Sequence, residues 1–468
     1  MLFINLLFIP LFCRHIQLRS DSTLNKSVQH NFNHAIPANK LEEGEGQLPN
    51  FGKETDTKII ANRGKTASFM LAWPSITTFT LVKGWDEDST VEMKRAVEQV
   101  LLRNPILMGR AKIDLSPLSK FEISIIPGPQ NPSSYISEID FQQKNIDYGD
   151  AKMPDNMNLC DMDSVEVLKF MDTFLAPIVP KSKSVFSLAK NKEPLFGITI
   201  IQLQNNYACY VVSMSHCVGD GVTYYNCMKE IDDAINNRSE NRNTRLVWSD
   251  DEISSHEIFP ARFSTRDREV AYGGPFFLGL LRNSLSMQLQ TKSYIILEKE
   301  LVEQKRIMLS KGQKSHLSHN DIITSALCQA NLSSDLFAFT MNMRKKKNHY
   351  GGNFHNEVPF SKRHVEDPFA FRSIVRKGYF YETNHLPTCP FILGKAGRIS
   401  SLASIQKLIK TGSMDIICHS MLSSFVQNVP LDTAFIISMN QDKYVILHNF
   451  RQIDLECDSL QDLLSHPP

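Results

Sequence analysis

The residues best suited to chemistry are His216 and Asp220, four apart in the run Ser213-Met214-Ser215-His216-Cys217-Val218-Gly219-Asp220-Gly221. An imidazole titrates near neutral pH, so it can take a proton from a hydroxyl, amine or thiol as that group attacks a carbonyl. Asp220 has two candidate roles: it orients the imidazole, or it is a structural carboxylate paired with an arginine elsewhere. At the start of a helix its carboxylate can also cap free N–H groups. Gly219 and Gly221 are structural positions that let the backbone bend sharply. A lone histidine at a strand end often does no more than satisfy hydrogen bonds, so the surroundings must separate the two cases. Cys217 is a competing nucleophile, but a strand neighbour of His216 points to the opposite face, which makes it a packing residue.

The elements around this run are legible. Leu195 to Leu203 and Tyr207 to Val212 are rich in β-branched and aromatic residues, and Asn205-Asn206 between them has the composition of a tight hairpin turn. Val222 to Ile235 has helical spacing. His216 therefore stands where a buried strand stops and a helix is about to begin, a good mount for a general base. Elsewhere, Ser75 to Lys83 and Phe121 to Ile126 read as strands. Ser89 to Leu102 reads as an amphipathic helix with Val91, Val97, Val100 and Leu101 on its apolar side, broken at Asn104-Pro105. Val165 to Leu175 has the pattern of a short helix, and Pro177 to Lys192 reads as a loop. In the later part of the chain, Ser293 to Leu301 and Phe337 to Met343 are strands, and Ser318 caps a helix beginning near Asn320. Thr433 to Met439 and Lys443 to Phe450 form a last hairpin. Strands and helices interleave without a strict βαβ repeat, which favours a mixed α/β sandwich over a doubly wound sheet.

His216 to Gly221 resembles the HxxxDG motif of the CoA-dependent acyltransferase superfamily, which includes the plant-type BAHD enzymes, wax ester synthases, alcohol acetyltransferases and peptide-synthetase condensation domains. Three further stretches resemble it: Ala96 to Lys112, Leu317 to Ala330, and Met341-Asn342-Met343-Arg344 followed by Tyr350-Gly351-Gly352-Asn353. The resemblance implies a two-domain chloramphenicol-acetyltransferase-like α/β sandwich with an active-site channel between its halves. It also implies acyl transfer from a CoA thioester to an alcohol or amine, with His216 and Asp220 as catalytic residues. Acyl-CoA is then a co-substrate, with no tightly bound cofactor. Arg344 is a candidate partner of Asp220 or a contact for CoA; the basic run Arg344 to Lys347 reads as a solvated loop, as a contact for CoA phosphates or, least in keeping with the net charge, as a nucleic-acid patch. The chain departs from the BAHD pattern in lacking a DFGWG segment, and Ser215 stands where condensation domains and wax synthases carry a second histidine. The alternatives are a non-catalytic homologue that binds an acylated ligand or a protein, and a condensation-type or wax-synthase-type enzyme at a membrane.

Composition bounds these readings. The chain has 468 residues, 42% of them hydrophobic, enough for sizeable cores, and its net charge of +1 argues against a broad nucleic-acid footprint. Nine scattered cysteines with no CxxC spacing, and histidines with no HExxH pattern, give no reason to expect a metal site, and unpaired thiols favour a reducing compartment. Leu2 to Phe12 is apolar but too short to span a bilayer as a helix; a signal, a surface anchor and a spurious upstream start all fit it. The expectation is a cytoplasmic monomer, with membrane association left open by that segment. Of three sequons, Asn331 follows a helix that should be buried, against glycosylation there. The expected division is a leader over 1–58, an acyltransferase half over 59–250 carrying the motif, a crossover over 251–292 and a second half over 293–468.

Overall fold

Apolar runs rich in β-branched and aromatic residues become strands where both faces can be covered. A computed structural model describes residues 59–60, 75–114, 122–141, 159, 162–176, 178, 185–236, 246, 248, 270, 274–285, 293–313, 316–342, 351–352, 355–377, 387–410, 414–423 and 431–464. Its first strands are β1 (Ile59–Ile60) and β2 (Ile76–Lys83), the latter buried in all but Lys83. Helix α1 (Glu87–Arg103) is capped by Asp86, which accepts from the Ser89 N–H at 2.8 Å. Its buried stripe includes Met93, Ala96, Val97, Val100 and Leu101. Val91, expected on that side, is instead 60% exposed, because it falls two residues before a stripe that recurs at three and four.

Strands β3 (Arg110–Asp114) and β4 (Glu122–Ile126) join β1 in a small sheet of order β1-β4-β3. After β5 (Ile136–Asp140) comes α2 (Ser164–Leu175), whose start is fixed by a capping box of Asp163 and Glu166. The expected loop over Pro177 to Lys192 contains a short helix, α3 (Val185–Asn191), which packs beside β3 with Val185 and Leu188 buried. Its seven residues are too few for periodicity to announce it.

Strands β6 (Phe196–Gln202) and β7 (Tyr207–Met214) form the expected hairpin. Asn205 and Asn206 both have φ of 59°, the left-handed pair that a two-residue turn of type I′ requires. Then follow α4 (Gly221–Ile235), α5 (Gly274–Leu285), β8 (Ser293–Glu298) and α6 (Lys299–Ser310). Helix α7 (His319–Ala330) starts at a capping box of Ser318 and Asp321, as the sequence led us to expect of Ser318. The remainder is β9 (Leu336–Asn342), β10 (His355–Ser361), α8 (Lys362–Val365), α9 (Pro368–Lys377), α10 (Thr388–Ile392), β11 (Ala396–Ser401), β12 (Asp415–Met421), β13 (Asp432–Ser438), β14 (Lys443–His448) and α11 (Asp458–Gln461).

Two large sheets organise these elements: a five-stranded one of order β12-β2-β7-β6-β5 and a six-stranded one of order β10-β9-β11-β13-β14-β8. Both are mixed, with β5 parallel to β6 and β11 parallel to β9 and β13. Strand β12 belongs to the second half in sequence but pairs antiparallel with β2 in the first-half sheet. Phe79, Leu81, Tyr210, Tyr224 and Tyr225 are buried in the first half. Leu297, Leu327, Phe337, Phe371, Ile399 and Ile446 anchor the core of the second. No helix among the described residues is long and apolar enough to cross a membrane. The segment Leu2 to Phe12 and the sequons at Asn25 and Asn237 lie outside those residues. Asn331 is fully buried, its side-chain oxygen accepting from the N–H groups of Ser333 and Ser334 at 2.9 and 2.8 Å.

Candidate active site

Strand β7 ends at Met214, and the Ser215 N–H closes the hairpin by donating to the Leu195 carbonyl at 2.7 Å. A turn follows, with the Val218 N–H on the Ser215 carbonyl at 3.0 Å, and it carries His216 away from the strand. Asp220 is the N-cap of α4: its carboxylate accepts from the Thr223 N–H at 3.1 Å and lies 3.3 Å from the Thr223 hydroxyl oxygen. An extended backbone at Asp220 and free N–H groups at the first helical turn make this the local solution for a chain passing from strand to helix. Gly219 and Gly221 are needed for room, since neither has a positive φ. A Cβ on Gly219 would lie 2.5 Å from Thr223 Cβ, and one on Gly221 would lie 2.7 Å from Leu402 Cδ2 of the second half.

His216 and Asp220 are 5% and 3% exposed, and both line a cavity of about 240 Å³. The first half contributes Ile76, Gly221 and Val222 beside them. The second half contributes the end of β9 from Phe339 to Asn342, and Arg398, Ser400 and Ser401 from β11. Leu402, Ile405, Met421 and Phe435 give the cavity an apolar side. The Arg398 guanidinium, on a residue 4% exposed, places Nε and Nη2 3.4 and 3.5 Å from Thr340 Oγ1. The chamber thus joins a histidine, a buried positive charge and several hydroxyls across the two halves, an arrangement able to deprotonate a nucleophile and steady a developing negative oxygen.

The structure brings His216, Asp220, Gly219 and Gly221 together at one corner. Met341 and Asn342, from the third of the resembling stretches, reach the same cavity. Arg344, with Lys345 to Lys347, Tyr350 and Asn353, lies outside the described residues. Cys217 is 4% exposed, its sulfur 3.2 Å from Ser215 Oγ, and burial pushes its thiol up to about 12, which keeps it protonated and unreactive at neutral pH. Sequence reasoning missed Arg398. The one available signal was an arginine inside a short run otherwise fit for a buried strand. Among the described residues, no group of three or more His, Cys, Asp or Glu side chains could hold a metal ion.

No family profile matches the sequence, and no curated protein matches it. Solved structures do. TRI101 of F. sporotrichioides, complexed with coenzyme A and T-2, aligns with a TM-score of 0.54 at 10% identity, covering 87% of this chain and 98% of that one. Apo TRI101 of F. graminearum aligns at 0.53 and 11% identity, over 87% and 98% of the two chains. The first condensation domain of the calcium-dependent antibiotic synthetase, in complex with a substrate analogue, aligns at 0.52 and 11% identity, over 87% and 93%. At these identities the likeness is one of fold: the chain has a two-half, chloramphenicol-acetyltransferase-like α/β architecture.

Proposed function

We propose that this chain transfers an acyl group from a CoA thioester to an alcohol or amine, with His216 as general base. The observation that carries the reading is the placement of His216 in the wall of a cavity whose opposite wall comes from the second half. The fold shared with a coenzyme A complex of TRI101 supports the choice of donor. In the reaction the His216 imidazole takes the acceptor proton as its oxygen or nitrogen attacks the thioester carbonyl. The carbonyl oxygen becomes negative, and a hydroxyl such as that of Thr340, Ser400 or Ser401, or the charge of Arg398, stabilises it. The tetrahedral species then expels the CoA thiolate, which receives the proton from the imidazolium, leaving acylated product and free CoA. No covalent enzyme intermediate forms, and holding both substrates in one chamber lowers the entropic part of the barrier.

The test is mass spectrometry of products and assay of free thiol, using a library of acyl-CoA thioesters against alcohols and amines. His216→Ala is expected to abolish transfer while leaving the unfolding midpoint within a few degrees of the parent. Full activity in that variant refutes the base assignment. No thiol release by the parent across the whole panel favours a non-catalytic homologue instead.

A further inference from the structure

We infer that Thr223 is a positioning residue that sets the His216 corner by clasping it to the loop at Gly351-Gly352 of the second half. Thr223 is fully buried in the first turn of α4 and touches both sides of the junction. On the motif side its side chain packs on Gly219, where a Cβ would lie 2.5, 2.6 and 2.7 Å from its Cβ, Cγ2 and Oγ1. On the other side its hydroxyl donates to the Gly352 carbonyl at 2.7 Å and accepts from the Gly352 N–H at 3.0 Å. The Asp220 N–H reaches the same carbonyl at 3.2 Å. One peptide group of the second half is thereby held by both the cap residue and the residue it caps.

The loop is prepared for this from behind. Gly352 has φ of 123°, a conformation that a side chain would strain. Gly351 lies flat against the ring of Trp248, where a Cβ would come 2.6 Å from two ring carbons. The Trp248 indole N–H donates to Asn104 Oδ1 at 2.8 Å, and the Asn104 amide donates to the Glu230 carboxylate on α4 at 2.8 Å. Glu230 also accepts from the Leu246 N–H. The clasp therefore closes a loop of contacts that starts and ends on α4, and the paired glycines are the residues that fit between a tryptophan face and a threonine hydroxyl. Because Thr223 packs on Gly219, between His216 and Asp220, a change in the clasp moves the base itself.

This role rests on the acyl-transfer reading, so the test has one arm that does not. Hydrogen–deuterium exchange is measured on the full chain for peptides spanning 215–223 and 351–352, in the parent, Thr223→Val and Thr223→Ser. Valine keeps the shape and the packing on Gly219 but removes the hydroxyl; serine keeps the hydroxyl. Thr223→Val is expected to speed exchange in both peptides by about ten-fold, and Thr223→Ser to stay within about two-fold of the parent. In the second arm, with acetyl-CoA and the panel of alcohols and amines, Thr223→Val is expected to lower kcat about ten-fold while KM for acetyl-CoA moves less than about two-fold. Exchange unchanged in the valine variant overturns the inference, as does a serine variant that fails as badly as valine. Parent protein that releases no thiol defeats the acyl-transfer reading alone, and the exchange arm then decides the clasp by itself.

Discussion

Asp220 caps α4 through one carboxylate oxygen while lining the same cavity as His216, and two substitutions separate these contributions. Asparagine caps a helix as well as aspartate, so Asp220→Asn should hold stability within about 0.5 kcal/mol, whereas Asp220→Ala should lose about 1 kcal/mol, both read from urea midpoints. Transfer that falls in a stable Asp220→Asn variant would identify the charge as the property the reaction uses. The sequence posed orientation against ion pairing at this position, and an amide here would keep the cap. Cysteine reactivity gives a second check at this scale. Buried Cys217, with its thiol pushed up to about 12, should resist iodoacetamide at pH 8 while exposed Cys389 is alkylated, as peptide mass spectrometry would show.

Among the elements, those with local signals were legible: the asparagine turn of the β6–β7 hairpin, the Ser318 cap of α7, and the strand, corner and helix that carry His216. Strand β12 was not, because what stabilises it lies far away in the chain. Its His419 is fully buried, with Nδ1 2.8 Å from Thr80 Oγ1, on a residue 339 positions earlier, and Nε2 3.0 Å from the Tyr225 hydroxyl. No periodicity encodes such a pairing. Burial pulls His419 down to about 3 and His448, also buried, down to about 4 despite the nearby Asp432 carboxylate. The folded chain thus refuses protons that the unfolded chain accepts near pH 6.5. Stability should fall as the pH drops below about 6.5, and for each of these histidines the fall should approach 1.4 kcal/mol per pH unit until its own folded value is reached. Urea titrations at pH 4.5, 5.5 and 7 should show the slope, and His419→Gln should reduce it by about one proton. An unchanged slope would remove His419 from the account.

Across the whole molecule, segments far apart in the chain meet at the Asp432–Arg451 charge pair. Asp432 at the start of β13 is fully buried and accepts from Arg451 Nε at 2.9 Å, from the Ser334 hydroxyl at 2.8 Å and from the Ser333 hydroxyl. The same guanidinium reaches Asn283 on α5 and the Gly394 carbonyl, both at 2.7 Å. Arg451→Met would strand the carboxylate in the core and should cost about 3–5 kcal/mol in denaturant unfolding, with little loss of catalytic rate in whatever folds. No local pattern in the sequence announces Arg451, because its partners are scattered over α5, β13 and the turn after α10. The loan of β12 to the first-half sheet also governs how the chain must be born. A ribosome that has released everything up to residue 292 has made β2 with its outer row of hydrogen-bonding groups still open, and the strand that covers it arrives only with residues 415–421. An uncovered edge recruits other chains. A fragment ending at 292 should therefore precipitate when made alone and stay in solution when the remaining 176 residues (468 − 292) are supplied beside it as a separate polypeptide.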